Sequence, residues 1–242
     1  MKRFLSATQF ITILPVGRAE DFDAEHMAPF FPLVGLLCGA ILAGCDMLFT
    51  QWWPVPVASV LDVLVLVVLT GAFHLDGLSD TADGLFSHRP PEKMMAIMKD
   101  SRIGAMGMVA TVSILAVKWA GISSLHEYRF WFLLIVPAYA RGSMLIAMKA
   151  LPYGRPESGL GRDMFSQPMG MWFYRFLWIP VLCSLTTGVH GMMINLVFPV
   201  LVGLILLYYR RKLGCITGDM LGAMTEVTEA FLFLYCAAGG GV

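Results

Sequence analysis

Apolar stretches of about twenty residues recur along this chain, and charge is almost excluded from them. A run of that length crosses a bilayer as a helix, because backbone amides find no other partner in hydrocarbon. The candidate spans are roughly 29–50, 55–73, 103–123, 130–150, 172–188, 190–209 and 220–240. The fifth is short and the seventh is polar in its first half, so the pattern predicts six to seven spans. Of the 242 residues, 57% are hydrophobic and 14% charged, where a soluble domain carries about a quarter charged. Mean hydropathy is +0.71. The expectation is an all-α integral membrane protein, a single polytopic bundle over residues 1–242 with polar loops. The stretch 4–14 is too short to cross and reads as re-entrant or interfacial. Trp52, Trp53, Trp119, Trp131, Trp172 and Trp178 fall near span ends, where an aromatic belt places them.

Lys and Arg orient such a bundle, because they accumulate on the inner side. With the N-terminus inside, the inner segments hold 14 of the 17 basic residues, and the outer loops hold only Arg129. Lys118 and Arg141 fall within spans. The same orientation puts three polar loops, 74–102, 151–171 and 210–219, on the inner face and leaves the outer loops short and plain. Formal net charge is zero, so no global field draws nucleic acid. Cys38, Cys45, Cys183, Cys215 and Cys236 form no CxxC pair. Four of them lie in apolar stretches, where Cys packs as a small hydrophobe, and no disulfide framework is expected. The N-terminal apolar run lacks a small-residue cleavage site, so no cleaved signal peptide is expected.

The loop that follows the second span reads FHLDGLSDTADGLFSHRPPEKMMAIMKDSRIGAMG, residues 73–107. On a helix, Asp76, Asp80 and Asp83 share an arc of about 60°. Three carboxylates so close stay ionised only beside positive charge, supplied by Lys and Arg or by a hard cation. All-carboxylate ligation suits Mg²⁺ or Mn²⁺, with positions left for water and phosphate. Gly77 and Gly84 leave room at the backbone for a ligand. His74 reads as a ligand, a base, a partner that fixes an Asp, or a structural residue. Lys99, Asp100 and Arg102 suit a phosphate clamp or inner-face anchoring, which Arg89 and Lys93 also serve. Gly104 and Gly107 suit close helix packing or ligand approach.

A second acidic set, Asp219, Glu226 and Glu229, shares an arc of about 80° on a helix that Thr217 would cap. Ionisable groups at the depth of Glu226 and Glu229 are functional by default. The alternative is pairing with Arg141 or Lys118, and Arg141 itself needs a carboxylate or phosphate partner. The middle loop LPYGRPESGLGRDMF brings Tyr153, Arg155, Glu157, Gly159, Gly161, Arg162 and Asp163, with two Arg suited to phosphate. It lacks the Gly-Lys-Ser/Thr ending of a Walker A loop, and no Gly-x-Ser-x-Gly, HExxH or dinucleotide fingerprint occurs anywhere. What remains is metal-assisted handling of a phosphate-bearing substrate at the inner face.

HLDGLSDTADGLFS, IMKDSRIGAMG, LPYGRPESGLG and TGDMLGAMTEVTE, with TQFITILPVG and FFPLVGLLCG nearer the N-terminus, together resemble the cobalamin synthase family, also called adenosylcobinamide-GDP ribazoletransferase. The resemblance implies a bacterial inner-membrane enzyme with its active site facing the cytoplasm. It implies adenosylcobinamide-GDP and α-ribazole (or its 5′-phosphate) as substrates, GMP as a product and Mg²⁺ as cofactor. With it, Asp76, Asp80 and Asp83, with Asp100 or Asp219, are expected to hold one or two Mg²⁺. Asp80, Asp83 or His74 is the expected proton acceptor, and Lys99, Arg102, Arg155 and Arg141 are the expected phosphate binders. Oligomeric state is left open. Two rivals remain: a CDP-alcohol phosphotransferase, whose Ala-Arg signature is missing here, and an ion-coupled transporter, for which no internal repeat is found.

Overall fold

The computed structural model describes residues 2–16, 22–155, 160–166 and 170–238. Those residues are helical apart from connections and one parallel bridge, Tyr153 to Ile216. The helices are α1 (Lys2–Ile11), α2 (Phe31–Trp52), α3 (Val55–Leu69), α4 (Phe73–Leu85), α5 (Pro91–Ile97), α6 (Ala105–Ser123), α7 (Arg129–Ala150), α8 (Leu160–Phe165), α9 (Trp178–Ser184), α10 (Gly188–Met192), α11 (Ile194–Lys212) and α12 (Gly218–Ala238). Proline stands in the first turn of α2, α3 and α5, where its missing N–H is no loss.

Among the described residues, five helices are long and apolar enough to cross a membrane: the one ending at Trp52, and α6, α7, α11 and α12. Taken together, α3 and α4 are also long and apolar enough for a sixth, but they are sharply bent at their junction. The region expected as the fifth span, 172–188, is not one helix. It is a 3-10 turn at Met171–Tyr174, the seven-residue α9, a second 3-10 turn at Leu185–Thr187 and the five-residue α10. This broken stretch nevertheless runs the length of α7. A Cβ on Gly142 would meet Leu177, and one on Gly191 would meet Phe132. At the midpoint Tyr139 donates to Asn195, which donates to Ser184 at 2.8 Å. Irregular backbone is tolerated at that depth where protein covers it.

α2 and α7 form the tightest pair. A Cβ on Gly39 would fall 2.0 Å from the Leu134 carbonyl, and one on Gly35 2.4 Å from that of Pro137. Small residues let helix backbones approach in a membrane, where no hydrophobic force drives helices together. Arg129, at the start of α7, ties down the other two neighbours at that end. Its guanidinium donates to Asp46 of α2 at 2.7 Å and to Asp62 of α3 at 2.9 Å. Asp46 and Asp62 are intramembrane carboxylates that the sequence reading passed over, although charge inside an apolar run is itself the signal.

At the other end α3 stops abruptly. Gly71 and Ala72 both take left-handed backbone, at φ 56° and 58°, which glycine adopts freely and alanine does not. The chain turns through 88°. α4 therefore lies outside the spans, laid across the starts of α6 and α12. α1 meets the same end, where Ile13 donates to Leu69 and Phe10 packs edge-on to Phe73.

Candidate active site

α4 presents two faces. Leu75, Leu78 and Leu85 are buried toward the bundle, while Asp76 is exposed and Asp80 and Asp83 are half-buried on the opposite side. The three carboxylates do share a face, as their spacing requires. The glycines beside them have another use than the one expected. A Cβ on Gly77 would fall 2.7 Å from the Asp219 carbonyl, and one on Gly84 would strike Met98. They admit neighbouring chain, not a ligand. Gly77 and Gly222 let α4 cross α12 so closely that Asp219 comes level with the α4 carboxylates.

Asp219 opens α12, where Thr217 Oγ1 accepts from the Met220 amide at 3.2 Å, the cap expected from the sequence. Arg155 Nη2 stands 2.8 Å from Asp219 Oδ2. The two are in contact without hydrogen-bond geometry, and both atoms are otherwise buried without a partner. The bridge of Tyr153 to Ile216 holds this part of the middle loop against the start of α12. Burial, then the charges of Asp76, Asp219 and Asp83, push the Asp80 carboxyl up to about 6, against the opposing pull of Arg155. Four carboxylates and one guanidinium from three segments thus share one field.

Asp83 is committed further. Its Oδ2 accepts from the Gly104 amide at 2.7 Å and its Oδ1 from the Gly107 amide at 2.9 Å. It caps α6 from another helix, satisfying free N–H groups at the positive end of the helix dipole. Gly104 and Gly107 are glycine because a Cβ at either would lie within 2.4 Å of the Asp83 carboxylate. This anchoring engages both oxygens of Asp83, the residue expected as a base or metal ligand, with the start of α6.

Five other expected site residues make different contacts or face elsewhere. Asp100 is held by Arg102, which donates to it at 2.6 and 3.0 Å. That pairing holds the exposed carboxyl down at about 2 and leaves it outside the group that Asp80 feels. Arg102 is therefore engaged with Asp100, and Lys99 is exposed on the turn after α5, so neither forms a clamp with the cluster. His74 is buried under α4, with both ring nitrogens lacking hydrogen-bond partners, and faces the interior. Arg141 is fully buried. It donates to Glu229, while Lys118 donates to Glu226 at 2.6 Å and to Glu229 at 2.5 Å. The two glutamates are thus paired within the bundle, the alternative that the sequence left open. Glu157 and Gly159 lie outside the described residues.

Among the described residues, no three His, Cys, Asp or Glu side chains stand close enough to enclose a metal ion. The donor set still fits Mg²⁺, which is usually held by one or two carboxylates with water and substrate phosphate. Asp219 Oδ2, buried without a hydrogen bond, and Asp80, crowded by like charge, are the groups such an ion would satisfy. Ser79 was not singled out from the sequence. It is buried beside Asp80, with its Oγ against Gly107.

The fold and site define a multi-pass α-helical membrane protein whose chemistry is gathered at one end, on an acidic helix laid across the bundle. The family model described as cobalamin-5-phosphate synthase matches residues 3–237, and the chain belongs to that family. It is 35% identical over 245 residues to the adenosylcobinamide-GDP ribazoletransferase of Geotalea daltonii, covering 100% of this chain and 99% of that one. It is 37% identical to the protein of that name from Escherichia coli (strain K12), over 96% and 98% of the two chains. With the protein of that name from Clostridium acetobutylicum it shares 29%, over 96% and 94%. No solved structure matches.

Proposed function

We propose that this protein is a Mg²⁺-dependent adenosylcobinamide-GDP ribazoletransferase of a bacterial inner membrane, with its acidic end in the cytoplasm. The observation that carries the reading is the meeting of Asp76, Asp80 and Asp219 beside Arg155, in a chain that matches ribazoletransferases over its full length. The excess of Lys and Arg at that same end supports the orientation.

In the reaction a secondary ribose hydroxyl of α-ribazole, or of its 5′-phosphate, bonds through its oxygen to the cobinamide-bearing phosphorus of the diphosphate and gives up its proton. The bond from that phosphorus to the bridging oxygen breaks, and GMP leaves with the electron pair. Asp80 and Asp219 would hold Mg²⁺, with Asp76 adding negative charge beside them, and the ion would neutralise charge on the diphosphate and on departing GMP. The transition state is loose, so positioning and charge account for most of the catalysis. Arg155 reaches the diphosphate from the Asp219 side and adds positive charge there. With no ion present the Asp80 carboxyl lies near 6 and is ionised at neutral pH, so it is available to a metal or to the hydroxyl proton, one role at a time.

Asp80→Asn is expected to lower turnover by about 10²-fold or more while the protein still inserts and folds. The assay is mass spectrometry of the cobamide product, with GMP release measured in parallel. Wild-type turnover in that variant at saturating Mg²⁺ removes Asp80 from the mechanism. A phospholipid product in place of a cobamide removes the ribazole reading.

A further inference from the structure

On the bundle side of α4 lies a second feature, a groove of about 440 Å³ between α6, α11 and α12, within the size range of ligand sites. Its accessible walls are Phe86 just past α4, Ser113 of α6, Leu204, Ile205 and Tyr208 of α11, and Val227 of α12. No charged side chain lines it, and the buried phenol at its back, Tyr209, donates to the Met220 carbonyl at 3.2 Å. Val200, Leu204 and Leu207 of α11 and Val109 and Val112 of α6 are exposed around it. On spans such side chains face hydrocarbon, which is as apolar as they are. One turn beyond the groove α11 ends in Arg210, Arg211 and Lys212. At about 100° per residue, Lys212 falls within about 40° of both Ile205 and Tyr208, on the groove face. Its Nζ stands 5.7 Å from the Tyr208 ring centroid. Among the described residues none of these three cations pairs with a carboxylate, whereas Arg3, Arg102, Arg129, Arg141 and Arg155 all do.

We propose that this groove binds one tail of an anionic phospholipid, with Lys212 and Arg211 holding its phosphate. Unpaired cations at the end of a span, above an apolar slot that opens on the bilayer, match an amphiphile whose charge is negative. Basic pockets between spans recognise anionic headgroups in this way. A zwitterionic lipid brings the same tail, but its own cation offsets the phosphate. Nucleotide-bearing molecules fit worse, because these walls leave the polar atoms of base and ribose without partners, which is costly on burial. A second copy of the chain fits worse too. A two-fold contact places the same patch on both sides, and here it would set Arg211 and Lys212 against their own copies. A tail in the groove packs against Phe86, so the bound lipid becomes part of the seat of α4. The site is independent of the transfer reading above.

The test is native mass spectrometry of the full-length protein in detergent, titrated separately with phosphatidylglycerol and phosphatidylethanolamine. Wild type is expected to bind phosphatidylglycerol saturably, about fivefold or more tighter than phosphatidylethanolamine. Arg211→Gln combined with Lys212→Gln is expected to abolish that preference. Arg89→Gln combined with Lys93→Gln removes two cations at the same end but off the groove, and is expected to keep it. Leu204→Trp fills the groove from an exposed position, so folding is not at stake, and is expected to weaken both lipids by about tenfold or more. Leu207→Trp, exposed on the same helix but off the groove, is expected to weaken neither. Equal effects of the two charge pairs would mean that the whole basic end attracts the lipid, and equal effects of the two Trp variants that any lipid-facing position serves. Either result overturns the proposal. A dimer that Leu204→Trp dissociates would assign the groove to a second copy and overturn it as well. In nanodiscs, phosphatidylglycerol is expected to slow amide exchange over residues 84–90 in wild type and not in Leu204→Trp. Equal exchange in the two proteins overturns the placement under α4.

Discussion

Asp80 is the residue on which the account turns, and its environment makes a testable thermodynamic statement. Its carboxyl titrates near 6 in the folded protein and near 3.8 without its neighbours. At pH 8 it is charged in both the folded and unfolded states, and the folded state bears the cost of partly burying that charge and the repulsion of Asp76, Asp219 and Asp83. Below about 4 it is protonated in both, and the penalty is gone. In EDTA, Asp80→Asn is therefore expected to melt above wild type at pH 8, with the gain fading as pH falls through 6 toward 4. The gain is small because solvent reaches the site. Equal melting temperatures at pH 8 would mean that neither burial nor crowding penalises the Asp80 charge. A residue that is inactive when altered yet more stable without its charge is the usual signature of a site shaped for a ligand.

The elements that carry these residues are fixed from below, inside the bundle. Lys118 of α6, Arg141 of α7 and Glu226 and Glu229 of α12 form one buried charged group, and α4 lies on top of two of those helices. Removing one member strands an opposite charge in a medium that cannot solvate it. Lys118→Met is expected to cost about 3–5 kcal/mol, read as a lowered melting temperature in detergent. Lys118→Met combined with Glu226→Gln is expected to recover much of that loss, because charge balance returns. No recovery would mean that the ammonium acts by packing alone. The sequence exposed these charges and even named the pairing, because ionisable groups in apolar runs must find each other. It could not show that Asp83 caps α6, since that contact joins residues more than twenty apart through two backbone amides. Nor could it show that Asp100 turns aside to Arg102, two residues away, or that His74 faces inward. Helical periodicity gives the direction of a side chain about its own axis. It does not give what the next helix places there.

At the scale of the whole molecule, the chemistry lies at one end. Hydropathy alone revealed the membrane-spanning character and most of the spans, because bilayer thickness imposes a length that composition must meet. It did not reveal that the crossing along α7 is broken into short pieces, since backbone satisfied by neighbouring helices leaves no mark on hydropathy. The uneven distribution of Lys and Arg makes a topological prediction. With the five native cysteines replaced, His126→Cys is expected to react with a membrane-impermeant thiol reagent added outside intact spheroplasts, and Ser101→Cys only after lysis. The reverse pattern would put the acidic end on the wrong side of the membrane for a cytoplasmic substrate. The most direct test of the central claim is a Mn²⁺ titration followed by electron paramagnetic resonance, on wild type, Asp80→Asn and Asp219→Asn, each with the GDP-containing donor bound. The account predicts saturable Mn²⁺ binding in wild type, weakened about tenfold or more in each variant. Unchanged affinity and stoichiometry in both variants would show that α4 and α12 do not hold the metal, and would contradict the account.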